Sequence, residues 1–70
     1  MIFTWEDGFS IQVQTENGQI LISANRAGLR SLAENLSRLA EEVPGSHVHL
    51  DEGNSLEEGS SELIVELVEK

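Results

Sequence analysis

The residues of this 70-residue chain that could do chemistry are gathered mostly between His47 and Glu62. His47-x-His49-x-Asp51 sets two imidazoles and a carboxylate at alternate positions, and on a strand alternation puts all three on one face. Such a set can hold zinc and leave a coordination position open. Same-face neighbours on a strand stand roughly 7 Å apart, however, while metal–nitrogen bonds are about 2 Å long. The two histidines just reach a common ion, Asp51 lies too far out, and a fourth ligand would have to come from Glu57 or Glu58. The competing interpretation is a solvent-facing strand whose histidines are set by neighbouring carboxylates. No metal and no other cofactor is expected.

Asp51-Glu52 and Glu57-Glu58 form a second constellation. Paired carboxylates serve as general acid and base when a pocket gives them unlike surroundings, and a two-layer domain of this size offers little concavity. No Ser-His-Asp order, phosphate loop or dinucleotide fingerprint is present, and without cysteine there is no thiolate nucleophile or ligand. The chain is therefore not expected to be an enzyme. Recognition fits the stretch better. Leu56 is the single apolar residue in the polar run 52–61, so it supplies an apolar centre inside a negative rim. That is the anatomy of a small interface: Asp51, Glu52, Glu57 and Glu58 steer a basic partner, Leu56 anchors it, and His47 and His49 touch it at the rim. A solvated connection with no partner is the alternative for the same residues.

Charge agrees with this division. Thirteen acidic residues against four basic ones give a net charge of −9, and residues 51–70 hold seven of the acids against Lys70 alone. No basic stripe exists to neutralise phosphates, so nucleic acid is not expected as a partner. A basic protein is, since the field would draw it toward the C-terminal end. Solubility alone would also account for the excess. No apolar run reaches the roughly 18 residues of a membrane span, and the N-terminus lacks the basic start of a signal peptide. No membrane role is expected, and the absence of cysteine is compatible with a reducing cytoplasm.

These residues must be positioned by the rest of one small domain, residues 1–70. Asn17-Gly18 is the dipeptide preferred by type I′ turns, and it predicts a hairpin over 9–23 pairing Glu16 with Gln19 and Ile11 with Ala24. Ile11, Val13, Ile20 and Ile22 then share the core face, while Gln12, Gln14, Leu21 and Ser23 lie on the other. Asn25 is the expected N-cap of a helix over 26–43, closed by Val43-Pro44-Gly45. Leu29, Leu32, Ala33, Leu36, Leu39, Ala40 and Val43 recur at helical spacing, and burying the four leucines would contribute roughly 6–12 kcal/mol. Gly28 in the first turn implies close packing against a strand. His47–Asp51 and Glu62–Glu69 alternate as strands. Ile2, Phe3 and Trp5, closed by Glu6-Asp7-Gly8, read as a short edge strand. The expected fold is α+β: a two-layer sandwich of about four antiparallel strands with one helix across one face, in the order β-β-α-β-β. Its outer face would carry Leu21, Ile64 and Val68, and a homodimer or structural role through that face is the second functional reading.

Asn25-Arg26-Ala27-Gly28-Leu29, Ser31-Leu32-Ala33 and Leu39-Ala40, followed by His47-Val48-His49-Leu50-Asp51, Leu56-Glu57 and Gly59-Ser60-Ser61-Glu62-Leu63, resemble the immunity protein 32 family. The likeness runs from about Ser23 to the C-terminus, and its second half is the more specific. Position 26 is often proline in such sequences, which suits a first helical position; Arg26 departs from that. The resemblance implies a small bacterial α+β protein proposed to neutralise a toxin of a polymorphic toxin system. It implies binding over catalysis and names no contact residues.

Overall fold

The structure, a computed structural model, describes residues 1–69. Asn17 and Gly18 take φ of 51° and 76°, the paired positive values that a type I′ turn requires. The turn sets β1 (Ile11–Glu16) against β2 (Gln19–Ala24) in the expected register, Glu16 opposite Gln19 through to Ile11 opposite Ala24. Next come α1 (Arg26–Leu39), β3 (His47–Leu50) and β4 (Leu63–Glu66). β3 and β4 pair antiparallel, with Val48 opposite Val65. Their ladder runs on past the strand ends, where the Leu67 N–H donates to Ser46 and the Gly45 N–H to Leu67, both at 2.8 Å.

The class is α+β with a single helix, but the strands do not join into one four-stranded sheet. They form two sheets of two strands each. The physical reason lies in the connection between β3 and β4. The second edge of β1 is taken by that connection, with the Glu57 N–H donating to the Ile11 carbonyl and the Ser61 N–H to the Val13 carbonyl, each at 2.8 Å. The Ser60 hydroxyl oxygen accepts from the Val13 N–H at 3.1 Å. A polar segment with no strand pattern thus occupies the place of a neighbouring strand.

The core gathers Ile11 and Val13 of β1, Leu50 of β3 and Leu56 of the connection, with Phe3, Trp5, Phe9, Ala24, Leu32 and Leu63 packed around them. The hairpin is covered only at its far end from the turn. Ile20 and Ile22, expected inside, are 66% and 38% exposed although the register gives them the same face as Ile11 and Val13.

The helix starts as expected. The Asn25 Oδ1 accepts from the Gly28 N–H at 2.8 Å and from the Ser10 N–H at 3.0 Å, while Nδ2 donates to the Gly8 carbonyl at 2.8 Å. One side chain so joins the helix cap, the start of β1 and the turn before it. The helix ends at Leu39, short of Val43, with Ala40 as C-cap. Proline at 44 disfavours helical backbone at Val43, which is left exposed.

Its buried face is the leucine stripe only in part: Leu39 is buried and Leu32 packs on the core, but polar and small residues complete the face. Gly28, Ser31, Asn35 and Leu39 face inward, whereas Leu29 is 54% and Leu36 is 36% exposed. The reason is the N-terminal segment, which pairs with no strand and instead lies along the helix as an extended strap. The Asn35 amide accepts from the Thr4 N–H and donates to the Thr4 carbonyl, both at 3.0 Å. That is the pair of bonds a neighbouring strand would make. The Ser31 hydroxyl accepts from the Glu6 N–H at 2.9 Å, and Arg38 Nη1 donates to the Ile2 carbonyl and the Thr4 hydroxyl. Backbone entering a part-buried seam is favoured by polar partners, and leucines cannot supply them.

Two substitutions test this packing against helix propensity and apolar patterning. An added Cβ at Gly28 would overlap the Ser10 carbonyl oxygen and stand 3.0 Å from Ile11 Cγ1 and 3.1 Å from Ala24 Cβ. Gly28→Ala, which would gain about 1 kcal/mol in an open helix, should therefore destabilise the protein by about 1–3 kcal/mol in urea unfolding. Asn35→Leu would extend the apolar stripe, yet it leaves Thr4 unpaired. A loss of about 1–3 kcal/mol is expected, together with faster hydrogen exchange at the Thr4 amide.

Candidate functional site

β3 places the two histidines as alternation requires. Val48 and Leu50 are buried, and His47 and His49 are exposed on the opposite side. The imidazole rings meet edge to face, their centroids 5.0 Å apart. Each is occupied locally: His47 Nδ1 lies 3.2 Å from the Gly45 carbonyl oxygen, and His49 Nδ1 lies 3.2 Å from Glu62 Oε2. Asp51 is turned to other work. Its carbonyl receives the N–H groups of Asn54, Ser55 and Leu56 at 3.2, 3.0 and 2.9 Å, and its Oδ1 accepts from Gly53 at 2.8 Å. Asn54 closes the same turn, donating from Nδ2 to His49 at 2.7 Å and accepting from the Asp51 N–H at 3.0 Å. Among the described residues no group of three or more His, Asp or Glu side chains is arranged to hold a metal ion.

The four loop carboxylates fall into two pairs. Asp51 and Glu52 are knitted into the loop, the Glu52 carboxylate accepting from the Gly59 N–H. Glu57 and Glu58 are exposed, and no hydrogen bond or ion pair engages their side chains among the described residues. They stand at a shallow cleft on the outer side of the hairpin, lined also by Ser10, Gln12, Ser23 and Asn25. The backbone bond from Glu57 to Ile11 brings them there.

Leu56 requires a correction. Expected as an exposed anchor at the centre of the loop, it is only 5% exposed and belongs to the core. The turn that Asp51 closes swings it inward, so it fastens the loop to the protein and is unavailable to a partner. The second surface also changes. Leu21, Ile64 and Val68 are exposed, but Leu21 lies on the hairpin and Ile64 on the β3–β4 sheet. The continuous sheet face that was to unite them is absent.

The arginines were not singled out as structural by their spacing, and their work shows only once the strap is seen. Arg30 grips Glu6 through two parallel hydrogen bonds, Nε to Oε2 and Nη2 to Oε1, both 2.9 Å. Hydrogen bonding to the guanidinium holds the Glu6 carboxyl below its ordinary value of 4.5 and moves Arg30 upward in turn. Both groups stand in water, so the effect is local to the strap.

What fold and surface define is a small α+β protein with a tied acidic loop beside a polar cleft. The chain belongs to the immunity protein 32 family, whose family model matches residues 19–68, from the start of β2 to beyond β4. No curated protein and no solved structure matches it. The family name assigns it to the immunity-type class. Among the described residues, no helix is long and apolar enough to cross a membrane.

The Glu6–Arg30 pair carries a pH dependence. A carboxyl lowered by folding contributes stability above its unfolded value, and that contribution disappears as pH falls through the folded value. Protection factors of the strap amides, taken against the intrinsic rate at each pH, should accordingly fall as pH drops below about 4.5, and Arg30→Gln should produce the same loosening at neutral pH. Carboxyl NMR titration should show Glu6 returning to the ordinary range in that variant.

Proposed function

We propose that this protein is an immunity-type inhibitor that binds a basic toxin and covers the surface the toxin needs for its substrate. Glu57 and Glu58 make the leading contacts, Asp51 and Glu52 add to the field, and His47 and His49 lie at the rim. The observation that carries this reading is the pair of unengaged carboxylates beside a cleft of hydroxyl and amide side chains, on a protein of net charge −9. A lysine or arginine entering that cleft would meet two carboxylates and several hydrogen-bond acceptors, which is the chemistry that recognises a cation. The excess negative charge raises the encounter rate with a basic surface and repels acidic ones. Inhibition of this kind asks no chemistry of the inhibitor, only occupancy. A cytoplasmic location belongs to the same reading.

Family membership supports the immunity-type class, and the loop architecture supports the choice of surface. Asp51 and Glu52 stiffen the turn through their hydrogen bonds, so Glu57 and Glu58 are presented on a fixed backbone and less ordering entropy is lost on binding. The test begins by capturing the partner on immobilised protein and eluting it with salt. Stopped-flow association is then compared between the wild type and the Glu57→Lys, Glu58→Lys double variant. Association should slow by about tenfold or more at low ionic strength and lose most of its salt dependence. An unchanged rate would remove Glu57 and Glu58 from the interface.

A further inference from the structure

Among the described residues, nothing pairs with the outer edge of β2. β2 is a six-residue strand in a two-stranded sheet, paired with β1 on one side only. Exposed sheet edges are ordinarily blunted by lysine, proline, a bulge or an inward charge. Gln19-Ile20-Leu21-Ile22-Ser23-Ala24 contains no charge and no proline, and its register with β1 is unbroken from end to end. Ile20 is 66% and Leu21 is 57% exposed, so apolar side chains stand on both faces of an open ladder.

The hydrogen-bonding groups at that edge can be assigned. In an antiparallel pair each residue directs its N–H and C=O to one side, and successive residues alternate. The Asn25 N–H donates to the Ser10 carbonyl, which marks 10 with 25 as a bonded pair. The partners 12 with 23, 14 with 21 and 16 with 19 follow from the register. On β1 the odd residues point the other way, as Ile11 and Val13 show by accepting from Glu57 and Ser61. Gln19, Leu21 and Ser23 therefore bond to β1, and Ile20, Ile22 and Ala24 present their backbone groups outward.

We propose that this edge pairs with the same edge of a second copy, β2 against β2 about a two-fold axis passing Leu21. Only registers that oppose outward residues to outward residues satisfy the ladder. Among these, the one centred on Leu21 sets Ile20 of one copy opposite Ile22 of the other, twice, with four backbone hydrogen bonds between them. It also sets Leu21 against Leu21 on the opposite face. Shifting the axis to Ile22 opposes Leu21 to Ser23 and Ile20 to Ala24, which leaves Ile22 against Ile22 as its one pair of large apolar residues. An isologous contact of this kind closes on itself and leaves no further edge to propagate.

Charge favours a second copy here. The protein carries −9, yet residues 17–25 carry none, so two copies meet where their mutual repulsion is least. The joined hairpins form one four-stranded sheet, past the three strands at which a β layer with an apolar face becomes independently stable. Two paired strands bury less than a standard interface, so the dimer is a weak one.

Sedimentation velocity from about 10 μM to about 1 mM, the range in which a small interface associates, should show the mass rising toward twice that of the monomer. Over the same range, NMR hydrogen exchange should show protection growing at the Ile20 and Ile22 amides, while the Leu21 and Ser23 amides are protected throughout. Ile20→Lys, a change at a largely exposed side chain, should weaken association by about tenfold or more. The circular dichroism spectrum should stay unchanged. A monomer mass across the whole range overturns the proposal. So does a dimer whose Ile20 and Ile22 amides stay unprotected, or one that survives Ile20→Lys and breaks with Ile64→Glu.

Discussion

The seam between the helix and the N-terminal strap decides how the other parts are arranged. Ser31 and Asn35 offer a hydroxyl and an amide where a leucine pair would have offered only surface, and the backbone of Thr4 and Glu6 comes in to meet them. These bonds are part-buried, where a peptide group left without a partner is destabilising by up to about 1–3 kcal/mol, so the side chains of Ser31 and Asn35 favour the strap in that position. With this face of α1 committed, Leu29 and Leu36 are turned toward solvent, and the hairpin is left uncovered at its turn end. The exposure of Leu29 and Leu36 thus accompanies a polar contact made by the neighbouring positions of the same helix.

Compactness in so short a chain comes from side chains acting as backbone. Asn25 binds two N–H groups and one carbonyl, Asn35 mimics a strand, Ser60 receives the Val13 N–H, and Asn54 closes the loop after β3. Seventy residues cannot bury enough apolar surface to fix every segment by hydrophobic contact alone. Short polar side chains reach backbone groups without adding bulk, and among the described residues no buried side-chain nitrogen or oxygen lacks a hydrogen bond. The acidic loop is fastened by the same means, which is why two of its carboxylates are engaged and two are left to face outward.

How much of this was legible in the sequence follows from which forces are local. The Asn17-Gly18 turn sets its own dihedral angles, so the hairpin register was readable to the residue, as was the Asn25 cap. The alternation of β3 was readable because Val48 and Leu50 differ so sharply from the histidines between them. The buried face of α1 was not. Apolar spacing marks a stripe that could be buried, and it says nothing of a backbone segment that competes for the helix by hydrogen bonding. Residues 57–61 were equally opaque, since their pairing with β1 uses backbone donors and one serine and leaves no alternation. Glu57 and Glu58 were recognisable as surface charge, but their place beside the hairpin depends on that pairing. Leu56 was misread for the same reason: one apolar residue in a polar run anchors inward when the run is folded back on the core.

Trp5 sits in the strap, stacked on Phe9 with centroids 4.9 Å apart and tilted against Phe3 at 5.5 Å. It is the chain's one tryptophan, so intrinsic fluorescence watches the strap and sees the hairpin and helix only through it. Phe3, Trp5 and Phe9 meet the core from the outside, and the strap is held chiefly through side chains of the helix and not by a strand ladder. Emission and circular dichroism thus report two different events in this molecule. Superposition of the two signals would mean that strap and body melt as one unit, and an earlier change in emission would mean that the chain's first residues peel away from a body that is still folded.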